Sequence, residues 1–232
     1  MPKLDTILTF SGWAQNPSSL NHALPSSHQI INFDYTKFSS IDELIIKLEN
    51  LPTPQIIVGH SLGGQIAARL IAKKILNPQK LILLSAPFQF VKSPKIAAAM
   101  PQNSFDIFRK NFAENSIETL EKFLLLSMLG SKKRAKELSD NLYLNDENYQ
   151  NLLSWLDELG RFSCFDLNFN DFPETLIIHG SGDMVVNSLQ AKVFNEKISH
   201  STVKILANCG HLPHISDLSQ TSNFISEFIQ SK

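Results

Sequence analysis

Three separated residues, Ser61, Asp183 and His211, are of the types that nucleophilic acyl transfer needs. Ser61 sits in Gly59-His60-Ser61-Leu62-Gly63, directly after the apolar run Gln55-Ile56-Ile57-Val58 and before a helical pattern. That is a strand, a sharp turn and a helix, with a serine at the tip and glycines where side chains would crowd the backbone. Serine is a poor nucleophile until a general base takes its proton and an acid orients the base. Asp183 closes Gly180-Ser181-Gly182-Asp183 after the apolar run 175–179, and His211 closes Ala207-Asn208-Cys209-Gly210-His211 after 203–206. The catalytic reading is therefore Ser61 as nucleophile, His211 as base and Asp183 as acid. The oxyanion formed on attack needs donors. The Leu62 amide stands at a helix N-terminus, and the Trp13 amide follows the first strand.

Other candidates read differently. His60 points away from the line of attack and reads as polar packing. His179 stands at a strand end and reads as a structural hydrogen bonder. His214 lies either at the pocket entrance or on plain surface. Asp166 and Asp171 precede the strand at 175, at its wrong end, and Cys209 reads as a small buried filler. No His/Cys/Asp cluster has metal-ligand spacing, and Gly59–Gly64 lacks the lysine of a phosphate-binding loop. No metal or organic cofactor is implied.

The elements that must position these groups alternate. Strands are predicted at 6–10, 29–33, 55–58, 80–84, 175–179 and 203–206. Helices are predicted at 41–50, 62–76, 188–197 and the C-terminus, where Phe224, Ile225, Phe228 and Ile229 share a face. This predicts an α/β fold, a mostly parallel sheet with helices on both faces. From about 90 to 165 the rhythm breaks into helical stripes: Phe105, Phe108 and Phe112; Ile117, Leu120, Leu124 and Met128; Leu152, Leu153 and Leu156. That stretch reads as a helical lid inserted between sheet strands of one domain spanning 1–232.

The chain has 232 residues, 43% of them hydrophobic and 19% charged, with a net charge of −1 and two cysteines. A balanced charge offers no global field for nucleic acid or a membrane surface. No apolar run is long enough to span a bilayer, and the N-terminus lacks the apolar core of a signal peptide. A cytoplasmic protein with reduced cysteines is expected.

Gly59-His-Ser-Leu-Gly-Gly64, His179-Gly-Ser-Gly-Asp183 and Gly210-His211 together resemble the α/β-hydrolase superfamily over nearly the whole chain. Within it the chain is most similar to the pimeloyl-acyl-carrier-protein methyl ester carboxylesterases of biotin synthesis. Ser11-Gly-Trp13 is similar to their oxyanion turn. Leu120–Ser127 followed by Gly130 resembles their lid helix, Leu153–Leu159 followed by Asp166-Leu167 the end of the lid, and Gly210–Ser216 the catalytic-histidine loop. The resemblance implies acyl contacts at Trp13, Leu62, Phe123, Leu124, Leu125, Leu126 and Ser127, beside Ser61 and His211. It also implies docking of an acidic acyl-carrier protein by lid cations, here Lys122, Lys132, Lys133, Arg134 and Lys136; a solvated helix face helped by Glu137 and Asp140 is the other reading of that run. Ser11 departs from the family's histidine, so the hydrogen bonds shaping that turn must differ. Ala14 replaces a glycine, and the family's leading β-hairpin is not expected here.

The function implied is serine carboxylesterase action on the methyl ester of a carrier-bound acyl chain. A general short-chain carboxylesterase or thioesterase uses the same triad. A non-catalytic relative that binds a ligand or partner is the remaining alternative.

Overall fold

The computed structural model describes residues 5–48, 53–131 and 142–231. Six strands form one sheet: β1 (Thr6–Phe10), β2 (Gln29–Phe33), β3 (Ile56–His60), β4 (Lys80–Leu84), β5 (Glu174–Gly180) and β6 (Ser201–Leu206). All neighbouring pairs are parallel, in the order β2-β1-β3-β4-β5-β6. The chain first builds outward from β1 to β2, then crosses back to place β3 on the other side of β1. The topological switch point therefore lies between β1 and β3, where open parallel sheets place their ligands. Register aligns Phe10 with Gly59, His60 with Leu84, Leu84 with Ile178 and Gly180 with Leu206. The segments bearing Ser11–Trp13, Ser61, Asp183 and His211 thus all leave from one edge of the sheet.

Two-residue periodicity sorts the strand side chains into two cores. Leu8, Phe10, Ile57, Leu81, Leu83 and Ile177 face one way. There they meet Leu44 of α1 (Ile41–Leu48), Ile66 and Leu70 of α2 (Leu62–Ala72), and Phe194 of α6 (Leu189–Lys197). Ile7, Ile56, Val58, Ile82, Leu84, Leu176 and Ile178 face the other way, toward Ile225, Phe224 and Phe228 of α8 (Leu218–Gln230). A short helix, α7 (Pro213–Ser216), precedes α8 and is absent from the sequence reading. α2 ends four residues before the expected position 76. Lys74 takes a positive φ of 59°, and the Ile75 amide turns back to the Leu70 carbonyl at 3.0 Å, folding Leu76 into the core.

Between β4 and β5 lie α3 (Gln102–Glu114), α4 (Ser116–Met128) and α5 (Tyr149–Arg161), with no strand among the described residues there. Phe105 and Phe112 of α3 and Leu152, Trp155, Leu156 and Leu159 of α5 join the first core. Ile117 does not follow its expected stripe and is 66% exposed. It falls in the first turn of α4, whose N-terminus is capped by the Asn115 side chain accepting from the Glu118 amide, and the buried stripe starts at Leu120. Arg69 of α2 pairs with Glu158 of α5 at 3.0 Å and lies over the Phe162 ring, tying these helices to the sheet. Cys164 and Cys209 are both free and buried. No helix among the described residues is long and apolar enough to cross a membrane.

Candidate active site

Ser61 occupies a strained backbone conformation between β3 and α2, with φ 51° and ψ −123°. Such a geometry costs on the order of 1–3 kcal/mol and persists only where its surroundings over-determine it. Here the Ser61 amide donates to the Leu84 carbonyl at 2.9 Å, and its carbonyl accepts from Gly64 and Gln65. Close approach fixes the glycine two residues on: a Cβ at Gly63 would lie 2.2 Å from the Phe10 carbonyl oxygen and 2.4 Å from that of Ser11. The same contact brings the turn after β1 against the serine.

Ser61 Oγ lies 3.0 Å from His211 Nε2, and His211 Nδ1 lies 2.8 Å from Asp183 Oδ2. A carboxylate only accepts, so Nδ1 carries the ring proton and Nε2 is free to accept from the serine hydroxyl. Asp183 Oδ1 accepts from the amides of Val185 and Val186, each at 2.9 Å, and Oδ2 also lies 3.0 Å from His179 Nε2. Burial by itself raises the Asp183 carboxyl. The His211 ring and the hydrogen bonds from His179 and His211 outweigh it, and hold the group ionised well below the usual carboxylate range.

Trp13 and Leu62 lie where expected, after β1 and at the first position of α2. Among the described residues, neither amide donates to a backbone carbonyl outside the regular elements. The Leu62 side chain is fully buried in the sheet core. The Trp13 indole donates to the Leu152 carbonyl at 2.8 Å and meets Phe108, Phe112 and Phe123 edge-on. The departure at Ser11 is met by Gln15, a residue the sequence reading passed over. Ser11 Oγ donates to the Gln15 carbonyl at 3.2 Å, and Gln15 Oε1 accepts from the Gly12 amide at 3.3 Å. Gln15 Oε1 also lies 3.0 Å from His60 Nδ1, and His60 Nε2 lies 2.9 Å from the His211 carbonyl oxygen; both oxygens are acceptors, so the neutral ring donates to one of them and only touches the other. His60 is thus a bridge between the oxyanion turn and the histidine loop. Burial, then His214 and His211, keep it neutral. His214 is neither at an entrance nor on the surface. It is 2% exposed, its ring 4.6 Å from that of His60.

The end of α4 is pinned to the same loops. The His211 amide donates to the Ser127 carbonyl, and the Gly210 amide to Ser131 Oγ, both at 2.9 Å. Gly130, at φ +82°, packs so closely that a Cβ would lie 2.5 Å from the Gly182 carbonyl oxygen. No periodicity or motif marks Ser131; only the folded loops bring it there.

Phe123, Leu124 and Ser127 line a cavity of about 10 Å³ between Trp13 and Leu212. Leu126 instead lines a separate, mostly apolar cavity of about 260 Å³ with Phe108 and Met100, and Phe123 borders both. Leu125, where an acyl contact is expected, is 57% exposed and lines neither cavity, because one helix cannot turn five successive residues to one side. Lys122 is exposed and paired with Glu118 at 2.6 Å one turn earlier. Lys132, Lys133, Arg134 and Lys136 lie outside the described residues.

Several known proteins are similar to this chain over most of its length. The chain is 25% identical to the pimeloyl-[acyl-carrier protein] methyl ester esterase of Nitrosomonas europaea over 76% of its own length and 72% of that protein. It is 28% identical to the enzyme of the same name from Nitrosospira multiformis, over 79% and 70%. It is 25% identical to the biotin biosynthesis bifunctional protein BioHC of Teredinibacter turnerae over 95% of this chain, which spans only 42% of that longer protein. Among solved structures, a bromoperoxidase from Bacillus anthracis superposes with a TM-score of 0.82 at 18% identity, covering 99% of this chain and 92% of that one. An esterase from Exiguobacterium antarcticum superposes at 0.79 with 19% identity, covering 100% and 94%. At these identities the structural neighbours speak for the fold. The model of the alpha/beta hydrolase fold family matches residues 11–218, nearly the whole of the chain, and the chain belongs to that family.

Proposed function

We propose that this protein is a serine carboxylesterase whose substrate is the methyl ester of an acyl chain carried on an acyl-carrier protein. The observation that carries the reading is the continuous hydrogen-bonded line Ser61–His211–Asp183 at the carboxyl edge of the sheet. The chain is a carboxylic ester hydrolase. Ser61 Oγ attacks the ester carbonyl while His211 Nε2 takes its proton. The Leu62 and Trp13 amides receive the oxyanion, with the N-terminus of α2 adding its dipole. The tetrahedral intermediate then expels the alcohol, methanol in the leading case, with the proton from His211. Water attacks the acyl-enzyme by the same base, which frees the acid and Ser61. Asp183 keeps the imidazole in the working tautomer and stabilises the imidazolium.

Access requires movement. Ser61 is 5% exposed, and the cavity that Phe123, Leu124 and Ser127 line with Trp13 and Leu212 is of a size for about one water molecule. α4, the lid in this reading, shifts before an acyl chain enters between Trp13 and Phe123. The carrier as partner is supported by the two single-function esterases named above and by the implied docking cations, of which Lys122 is described. A second reading, a short-chain esterase acting on free esters, is favoured by the narrowness of that cavity.

The test combines an active-site label with a substrate comparison. A fluorophosphonate probe labels the wild type and not Ser61→Ala, whose turnover falls by roughly a million-fold; a folded wild type that resists the probe would overturn the esterase reading. A methyl pimeloyl-carrier substrate is expected to give a higher kcat/KM than free methyl esters, with an advantage that shrinks as salt rises. Equal values for both would leave the short-chain esterase standing.

A further inference from the structure

Asp183 is served by one donor more than the triad needs. His179, at the end of β5, is completely buried, and its Nε2 lies 2.9 Å from the Val186 carbonyl oxygen and 3.0 Å from Asp183 Oδ2. Both neighbours are acceptors, so Nε2 carries the proton and shares it between them. Nδ1 has no partner among the described residues. The ring is therefore oriented wholly by what its Nε2–H meets. Oδ2, the oxygen that accepts from His211 Nδ1, thereby receives two imidazole N–H groups, while Oδ1 receives two backbone amides. The carboxylate is held from four directions, and of its side-chain donors only His179 stands outside the reacting groups.

We propose that His179 is a positioning residue for the acid of the triad, its Nε2–H fixing the Asp183 oxygen that orients His211. The inference rests on the triad reading of Ser61, His211 and Asp183. Two consequences follow from the shared oxygen. Without the His179 hydrogen bond, Oδ2 keeps its contact with His211 Nδ1, with Oδ1 still anchored by two amides, but is held less rigidly in line, and the base is oriented less well. The same loss leaves the carboxylate a stronger acceptor, which favours the protonated imidazole and moves the acid limb of activity upward. The other titratable groups around this network are His60, 5.0 Å from His211 ring to ring, His214 behind it, and Cys209, which feels both Asp183 and Asp217. They are unchanged in the variants below, so differences report on His179.

The glutamine amide nitrogen sits where histidine Nε2 does, two bonds beyond Cγ, whereas the asparagine nitrogen sits where Nδ1 does. His179→Gln retains the donor and His179→Leu and His179→Asn remove it. The experiment measures kcat, KM and the pH profile of kcat/KM on a soluble methyl ester, each normalised to fluorophosphonate-titrated sites. Expected for His179→Leu and His179→Asn is a fall in kcat on the order of ten- to a hundredfold with KM little changed. Their acid limb should rise, with both effects largely rescued in His179→Gln. Should the leucine variant fail to fold, the asparagine–glutamine pair carries the comparison. Unchanged kcat and acid limb in the donor-free variants, or equal damage in His179→Gln, would overturn the inference while the wild-type label still upholds the triad. A wild type that the probe does not label would remove both.

Discussion

His214 offers a quantitative check on the buried histidines beside the site. Its ring is 2% exposed, neither nitrogen has a partner among the described residues, and it packs against the His60 ring at 4.6 Å. Burial, and then the neighbouring His211, depress its pKa to about 3. In the unfolded chain a histidine titrates near about 6.5. Below that pH the unfolded state binds a proton that the folded state refuses. The stability this group contributes is therefore complete above about pH 6.5 and is lost as pH falls toward the folded value. Each pH unit in that window costs about 1.4 kcal/mol, so the loss is on the order of 3 kcal/mol at about pH 4.5. For a chain of this length that corresponds to roughly 5–10 °C in Tm. His214→Phe keeps a flat ring against His60 and removes the titration. Urea unfolding of both proteins at about pH 7 and about pH 4.5 measures the difference. The variant's disadvantage, or advantage, at neutral pH should shift in its favour by on the order of 3 kcal/mol at the lower pH. Equal losses in the two proteins would refute the reasoning, because they would mean that His214 is already charged, or reachable by water, in the folded state.

Two further substitutions probe the oxyanion turn. Gly63→Ala places a methyl 2.2 Å from the Phe10 carbonyl oxygen, a backbone atom of β1 that cannot turn aside. A loss of about 3 kcal/mol or more is expected, with a fall in kcat of at least about tenfold as the Trp13 amide moves; near-wild-type stability and rate would show that the turn can slide. Trp13→Phe deletes the indole bond to the Leu152 carbonyl but retains the backbone amide. Chemical denaturation should show a loss of about 1–2 kcal/mol, while kcat stays within about threefold because the oxyanion donor is the main chain. A large drop in kcat with intact stability would move the Trp13 role from its amide to its ring.

The elements nearest the chemistry were legible because local sequence encodes them. β-branched runs ending in glycine and a polar residue give a strand and the group that follows it, and parallel register carries such groups to one edge whatever the tertiary detail. β4 falls at 80–84 and the terminal helix on Phe224, Ile225 and Phe228, as the periodicity says. Boundaries set by long-range contact were not legible. α2 stops early because Lys74 turns the chain toward β4, and Ile117 is left in water because α4 starts a turn before the packed stripe.

What the sequence determined by itself was the chemistry on offer: a serine on a glycine-flanked turn, an acid and a histidine after later strands, and an amide-bearing turn after the first. What only the tertiary structure decided was how those groups are held. Gln15 takes up the hydrogen bonds that Ser11 does not make, His60 joins the oxyanion turn to the histidine loop, Ser131 pins that loop to α4, and His179 reaches Asp183. The contacts of His60 and Ser131 join residues far apart in the chain that no helical or strand period relates, and those of Gln15, three and four residues apart, lie in a turn outside any helix. Even His179 and Asp183, four apart, meet only because the turn after β5 folds the carboxylate back over the strand end. Hydrogen-bond partners across a fold are fixed by distance in space, and spacing along the chain carries that information only within one element.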